Sequence, residues 1–166
     1  MTALRLQSTH PVSDMASTSE RLKIKEGSDA RFTGQAWITG RFVAWWPAGA
    51  SNASDKTPEY LLIPDARGAA KLPHFTLLHE HQRLQYPVTT IDLTNGDTAL
   101  RVIVGEARAR QLLDRRVDSV DAASSFLLED YEVGVECDAA WAHAMLVKAK
   151  IPRSLLADHR DVPERC

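Results

Sequence analysis

Residues 31–46 read RFTGQAWITGRFVAWW, and the side chains of this stretch alternate between two sets. The largely apolar or small set consists of Phe32, Gly34, Ala36, Ile38, Gly40, Phe42, Ala44 and Trp46. Because successive side chains of a strand point to opposite faces, the alternation predicts one long, half-buried strand. At about 3.3 Å per residue it would reach about 50 Å, which is longer than a small domain can use. We therefore expect it to bend at Gly34 and Gly40, where missing side chains let a strand coil.

The opposite side of this strand carries what we call the aromatic–arginine row, defined by Trp37, Arg41 and Trp45. Aromatic rings that flank an arginine are typical of surfaces that stack bases or sugars and of hot spots in protein interfaces. Burial beneath a helix or a second sheet is the alternative, because most large aromatic side chains are mainly buried. The row is the first candidate binding surface.

Two further strands and a long loop are predicted in the segment that follows. Residues 59–64 form a short apolar run that we expect to pair with the central strand, and residues 74–83 alternate in the same way. Residues 47–59 read PAGASNASDKTPE and contain the residue types of a loop. A loop of this length is longer than most in compact domains and is often functional.

The strongest local turn signal is Asn95-Gly96, which separates two alternating runs within residues 89–105. Both residue types tolerate positive φ angles, so the pair suits a two-residue type I′ turn. Closing that turn places Ile91 opposite Leu100 on one apolar face. The sequence therefore predicts a β-hairpin here.

The C-terminal half mixes helical and strand patterns. Residues 106–117 have the apolar spacing of a helix, with Glu106 in the first turn and arginines in the last. Residues 117–125 are polar and turn-like, and alternation returns over 126–138. Residues 139–150 fit either a helix, because they contain good helix formers, or a closing strand, because they also alternate.

The strand predicted at 126–138 places acidic residues on one face, and Glu132 and Glu136 are the candidate binding residues there. The acids that share this face are Asp130, Glu132, Glu136 and Asp138. Like charges two residues apart repel, so this face should be solvated or meet a basic partner. Charge on a solvated edge strand also prevents aggregation, which is the simpler explanation of the pattern.

Catalytic chemistry has one weak signal, the group formed by His74, His79 and His81 together with Glu80. His79 and His81 would lie on one face of a strand, and His143 could add a third ligand for a metal-assisted hydrolase. The more frequent situation is that such histidines are ordinary strand residues. No nucleophile elbow, paired-cysteine motif or phosphate-binding loop occurs, so the sequence predicts no cofactor and no resident metal.

Composition restricts the class of protein. The chain has 166 residues, a formal net charge of −2 and two cysteines, Cys137 and Cys166. That length suits one domain, and the net charge makes nucleic acid an unlikely main partner. Two cysteines do not form a disulfide scaffold, and the sequence contains neither a signal-peptide core nor a membrane-spanning run. We expect a cytoplasmic protein.

Together these patterns predict a β-rich α+β fold built as a small, partly open antiparallel barrel. Over residues 31–150 the order of elements is similar to the OB type of barrel, which places a helix before its fourth strand. Residues 21–152 form the expected single domain, between a mobile tail at 1–20 and a frayed tail at 153–166. The expected function is a non-enzymatic binding module that engages a protein, expected to be basic, or a small ligand. Its contact would be the aromatic–arginine row, the long loop or the acidic strand.

Overall fold

A computed structural model describes nine segments of the chain, which are residues 5–7, 23–25, 27–45, 58–73, 76–79, 82–85, 89–114, 119–136 and 139–158. The strands in them are β1 (Arg5–Gln7), β2 (Lys23–Lys25), β3 (Asp29–Thr33), β4 (Ala36–Trp45), β5 (Glu59–Pro64), β6 (Thr76–His79), β7 (Gln82–Gln85), β8 (Ile91–Leu93), β9 (Ser119–Glu136), β10 (Ala139–Ala149) and β11 (Ser154–Asp158). The helices are α1 (Ala66–Ala69), α2 (Gly96–Val104) and α3 (Glu106–Asp114). The prediction of a mainly β protein is confirmed.

Five of the strands form a ring. β4 pairs with β5, β5 with β8, β8 with β10, β10 with β9, and β9 again with β4. The β8–β10 pair is parallel, so the expected antiparallel sheet is instead a mixed one. The helices α2 and α3 separate β8 from β9 along the chain, and this long connection allows β10 to run beside β8 in the same direction. No local pattern in the sequence indicates such a parallel pair.

The alternation that predicted the central strand is confirmed by burial. Ile38, Phe42 and Ala44 are fully buried in the ring, and we call the opposite side of the sheet the outer face. The strand is divided at Gly34, whose φ angle of +94° ends β3 before β4 begins. At Gly40 the strand continues, and an added Cβ would overlap the backbone carbonyl of Ile63 in β5. Glycine at this position therefore permits close approach of the two strands.

β9 is the longest strand and supports the sheet along both edges. One edge pairs with β4 and then β3, and the other pairs with β11 and then β10. The turn-like structure predicted for 117–125 is therefore wrong from Ser119 onward. The small side chains of this part alternate in burial, since Val120, Ala122 and Ser124 face the core. Strand partners on both edges, rather than local propensity, decide its conformation.

A bulge at Asp130 divides β9 into two parts. Glu129 pairs with Met145 and Glu132 with His143, so β9 has one extra residue in this interval. Asp130 has a φ angle of +50°, and Tyr131 is fully buried with its ring centroid 5.5 Å from that of Phe32. The bulge lies level with the break at Gly34, so both strands bend at the same point.

The predicted hairpin at Asn95-Gly96 is wrong, because residues 96–104 form the helix α2. Asn95 accepts a hydrogen bond from the backbone N–H of Leu146 (2.9 Å) and donates one to its carbonyl (2.8 Å). A Cβ on Gly96 would overlap the ring of Tyr60, so this glycine provides space rather than a positive φ. The buried residues of α2 follow the helical spacing and are Gly96, Ala99, Leu100 and Ile103.

The remaining segments refine the predicted boundaries. Residues 139–150, which fitted either a helix or a strand, contain the strand β10. The helix expected at 106–117 is α3, and two further helices, α1 and α2, precede it in the described part of the chain. The strand expected over 74–83 is divided into β6 and β7, and β6 pairs with both β7 and β2 in a second sheet. β1 and β11 lie inside the predicted tails and pair with β3 and β9. Within the described residues, no helix is long and apolar enough to cross a membrane.

Candidate functional site

The structure brings Trp37, Arg41 and Trp45 together on the outer face of β4. Trp37 is half-buried, and the ammonium group of Lys150 lies 5.5 Å from the centroid of its ring. That distance is within the range of a cation–π interaction. One face of the indole is therefore already occupied by a side chain of the same protein.

Arg41 is also occupied from within the chain. Its Nε donates to both carboxylate oxygens of Asp121, at 3.2 and 3.0 Å, and Nη2 donates to the same group. The hydrogen bond to Asp121 raises the pKa of Arg41. A bidentate carboxylate satisfies the geometry that a phosphate would otherwise use.

Further along β4 the outer face is covered. Val43 and its cross-strand neighbour Leu61 are only 3% and 5% exposed. The Nε1 of Trp45 is buried and has no hydrogen-bond partner among the residues that the structure describes. A ligand of the aromatic–arginine row would therefore have to displace Lys150 and Asp121 and would meet a largely buried surface beyond them.

A second surface lies on the outer side of β9 and β10, and we call it the acidic–aromatic face. Its members are Glu129, Asp130, Glu132, Glu136, Trp141 and His143. Direct cross-strand pairing sets Trp141 beside Gly134 and His143 beside Glu132. The bulge changes the predicted acidic side, because Glu129 joins Glu132 and Glu136 there and Asp130 projects at the bulge. Asp138 lies outside the described residues.

Trp141 rests across β9 in a space that only glycine leaves open. A Cβ on Gly134 would overlap the six-membered ring of the indole, so the indole lies directly over this glycine. The imidazole of His143 lies next to it, with ring centroids 4.6 Å apart and planes inclined by 31°. Both side chains are half-buried. They form an apolar platform with carboxylates around it.

Few of these carboxylates have a basic partner in the described part of the chain. Arg31 Nε lies 3.1 Å from Glu132 and 3.8 Å from Asp29. Glu129 accepts a neutral hydrogen bond from Gln35 at 2.9 Å. Asp130 and Glu136 are exposed and have no ion pair among the described residues. The face therefore carries more negative charge than its own arginine neutralises.

The paired residues also form a line across four strands. Arg31 of β3 pairs with Glu132, Glu132 with His143, and His143 with Asp92 of β8. An arginine, a glutamate, a histidine and an aspartate thus follow one another in a line perpendicular to the strands. The arrangement is typical of cross-strand charge pairing.

Trp141 and His143 were not among the predicted binding residues. The signal was present in the alternation of 139–150, where Trp141, His143, Met145 and Val147 share one parity, and Ala142, Ala144 and Leu146 share the other. The structure buries this second set and leaves the first set half-buried. Large side chains on the solvent side of a strand are the feature that marks this surface.

The histidine group cannot be assembled from the described residues. His74, Glu80 and His81 lie outside them, only the backbone of His79 is described, and His143 is in β10. No group of three or more possible metal ligands occurs among the residues that the structure describes. The loop predicted at 47–59 is described only from Pro58 onward.

Searches of protein families, curated proteins and solved structures found none that matches this chain.

Proposed function

We propose that this protein is a non-enzymatic binding module whose ring is an OB-like barrel. Two features support this architecture: the ring has five strands, and helices precede its fourth strand, β9. A fold alone cannot assign a function, so the proposal depends on the outer surfaces of the ring. The compartment that we propose for it is the cytoplasm.

The proposed contact surface is the acidic–aromatic face, and the proposed partner is a basic protein segment. The observation that carries the proposal is the half-buried indole of Trp141, which lies over Gly134 among carboxylates that have few basic partners in the described part of the chain. Trp is among the residues enriched at interface hot spots. Exposed carboxylates around it favour arginine or lysine on the partner.

An arginine side chain suits this surface in two ways. Its planar guanidinium can stack on an indole, which contributes about 0.5–1 kcal/mol at an exposed site. The same group can donate hydrogen bonds to a carboxylate on either side, and Glu132 and Glu136 flank Gly134 along β9. The aromatic–arginine row lacks both advantages, because Lys150 and Asp121 already occupy Trp37 and Arg41.

A labelled nona-arginine peptide tests the proposal by fluorescence anisotropy at low salt. We expect Trp141→Ala to weaken binding about fivefold and Glu136→Gln about twofold, which correspond to roughly 1 and 0.4 kcal/mol. Binding should also fall as salt rises, because these charges are exposed.

Two matched variants serve as controls. Trp37→Ala removes an indole from the aromatic–arginine row, and Glu106→Gln removes a carboxylate that pairs with Arg101 and Arg110 on the helices. Neither should change the affinity. An equal loss of affinity in Trp37→Ala and Trp141→Ala would mean that the aromatic–arginine row binds the peptide. Unchanged affinity in Trp141→Ala would reject the acidic–aromatic face as the contact surface.

The metal-assisted hydrolase remains the alternative predicted from His74, His79 and His81. Its test is the metal content of the purified protein. About one zinc ion per chain, lost in His79→Ala, would favour the hydrolase over the binding module.

A further inference from the structure

The outer side of residues 141–150 changes from aromatic to basic along β10. Its outward residues are two aromatic rings, two half-buried apolar side chains and two exposed lysines, in the order Trp141, His143, Met145, Val147, Lys148 and Lys150. A bulge at Val147 makes this order possible, because β10 has one extra residue between Leu146 and Lys148. The flanking residues Leu146 and Ala149 contact the core, which leaves both bulge residues on the outer side.

The neighbouring strand β9 changes in the same direction. The cross-strand pairs on the outer face are Glu132 with His143, Glu129 with Met145, and Leu127 with Lys148. Carboxylates thus accompany the aromatic end of the face, and a leucine that is only 9% exposed accompanies the basic end. We call Lys148 and Lys150 the lysine pair. The lysine pair and the acidic–aromatic face therefore lie on one continuous surface.

The lysine pair has no carboxylate partner in the described part of the chain. Lys148 forms no ion pair there, and the ammonium group of Lys150 lies over the ring of Trp37. Because Trp37 belongs to β4, beyond β9, the side chain of Lys150 extends across the outer face of β9. An ammonium group has three N–H donors, so a contact with an indole still leaves it able to bind a carboxylate.

We propose that the basic partner of the acidic–aromatic face is a second copy of this chain, which contributes its lysine pair. This inference rests on the proposed function, because it names the partner of the same surface. A surface that is acidic at one end and basic at the other is complementary to itself when a two-fold axis reverses the strand direction. Charge complementarity is therefore the reason that a second copy fits this face.

The charges also decide where the axis lies. An axis level with Met145 would pass Glu129 as well and would set the two copies of this carboxylate against each other. An axis between Met145 and Lys148 avoids that repulsion. Lys148 then faces Glu129 of the second copy, and Lys150 is level with its Glu132. The two half-buried apolar side chains of β10 lie at the centre of the contact.

The expected dimer is weak and depends on salt. Two strands of each copy contribute fewer residues than the roughly 20–30 per side of a standard interface. Both lysines are exposed, so dissolved ions should screen their attraction to the carboxylates. We therefore expect dimerisation at low salt and high protein concentration.

An exchange of charges between two full-length variants tests the pairing. By sedimentation equilibrium at low salt, Lys148→Glu and Glu129→Lys should each dimerise about tenfold more weakly than the wild type, because each sets like charges against one another. An equimolar mixture of the two should associate as the wild type does, since the new glutamate meets the new lysine. A mixture that associates no better than the separate variants would overturn the proposal.

Lys71→Glu is the matched control, because it reverses an exposed lysine that lies after the helix α1. It makes the same change of net charge as Lys148→Glu but should leave dimerisation unchanged. Equal weakening in both variants would assign the effect to net charge and reject the pairing. Far-UV circular dichroism should show the same fold in all three variants, and a wild type that stays monomeric at its highest soluble concentration would also reject a second copy as the partner.

The nona-arginine peptide separates this inference from the proposed function. An excess of the peptide should dissociate the dimer, because both bind the same carboxylates, and a dimer that the peptide leaves intact would overturn the shared surface. A monomeric wild type whose peptide binding still depends on Trp141 would reject only the second copy as the partner. A dimer that passes the charge exchange, with peptide binding that is independent of Trp141, would instead reject the proposed peptide contact.

Discussion

The outer faces of β4 and of β9–β10 contain similar residue types, but their charged groups are paired within the chain to different extents. On β4, the indole of Trp37 is covered by Lys150 and the guanidinium of Arg41 is held by Asp121. On β9–β10, Trp141 is half-buried like Trp37, and the carboxylates around it exceed the basic groups among the described residues nearby. The contrast shows that residue type alone does not identify a contact surface, because cross-strand partners decide whether a charge is available.

The comparison also separates a supporting strand from a contact surface. β4 is paired along both edges, by β5 and β9, and it contacts α1. We therefore expect changes in β4 to reduce the free energy of unfolding. Changes on the acidic–aromatic face should mainly alter binding.

The largest expected effect is that of Gly40→Val. Its side chain would overlap the carbonyl of Ile63 and the Cα of Pro64, which are backbone atoms that cannot rotate away. Overpacking of this kind costs about 3 kcal/mol, at the upper end of its usual range. Urea denaturation measures the change, with Thr39→Ser as the control because it keeps the neighbouring hydroxyl. A neutral Gly40→Val would show that β4 can separate from β5 without loss.

Gly134→Ala is expected to have a smaller effect, because its Cβ meets the side chain of Trp141 rather than backbone. Displacement of the half-buried indole should cost about 1 kcal/mol and shift tryptophan emission to longer wavelength. The control is the same substitution in a Trp141→Ala background. There the alanine should instead stabilise the strand by about 0.5–1 kcal/mol. The same sign in both backgrounds would mean that the indole is not seated on Gly134.

The Arg41–Asp121 pair should contribute at most about 1 kcal/mol, because exposed ion pairs are weak and Arg41 is half-exposed. A double-mutant cycle with Arg41→Met and Asp121→Asn isolates the coupling energy by chemical denaturation. We expect it to decrease as salt rises. A coupling near zero would mean that Asp121 does not hold the arginine, and the aromatic–arginine row would again be available to a ligand.

The smallest effect concerns Asp65, which precedes α1. Thr39 donates to its carboxylate at 2.6 Å and the backbone N–H of Gly68 at 2.8 Å, and these bonds lower the pKa of Asp65. A lowered folded-state pKa means that the unfolded chain binds the proton more readily. The stabilisation is therefore present above the ordinary aspartate pKa and is lost as the pH falls below it.

Thermal denaturation of the wild type and Asp65→Asn over this acidic range tests the effect. The two curves should converge as the pH falls. A constant difference would show that the carboxylate charge does not contribute.

The sequence predicted those elements whose conformation is decided by nearby residues. The alternation of β4 and the apolar run of β5 are confirmed, together with the pairing of the two strands. The helix α3 is also found near its predicted bounds.

The errors occur where distant residues decide the conformation. Asn95-Gly96 is typical of a hairpin, but Asn95 binds the backbone of Leu146, 51 residues away, and Gly96 accommodates Tyr60. The small residues after Ser119 form a strand because partners lie on both sides. Trp141 could not be assigned to a surface while 139–150 fitted both a helix and a strand.

The position of β9 has a consequence for synthesis on the ribosome. Arg41 and Asp121 are 80 residues apart, and Arg31 and Glu132 are 101 residues apart. β4 therefore leaves the exit tunnel long before the strand that covers its second edge has been translated. Contacts between such distant residues form slowly, and an uncovered strand edge is prone to aggregation in the meantime. We therefore expect that edge of β4 to stay open to pairing with other chains until β9 has emerged.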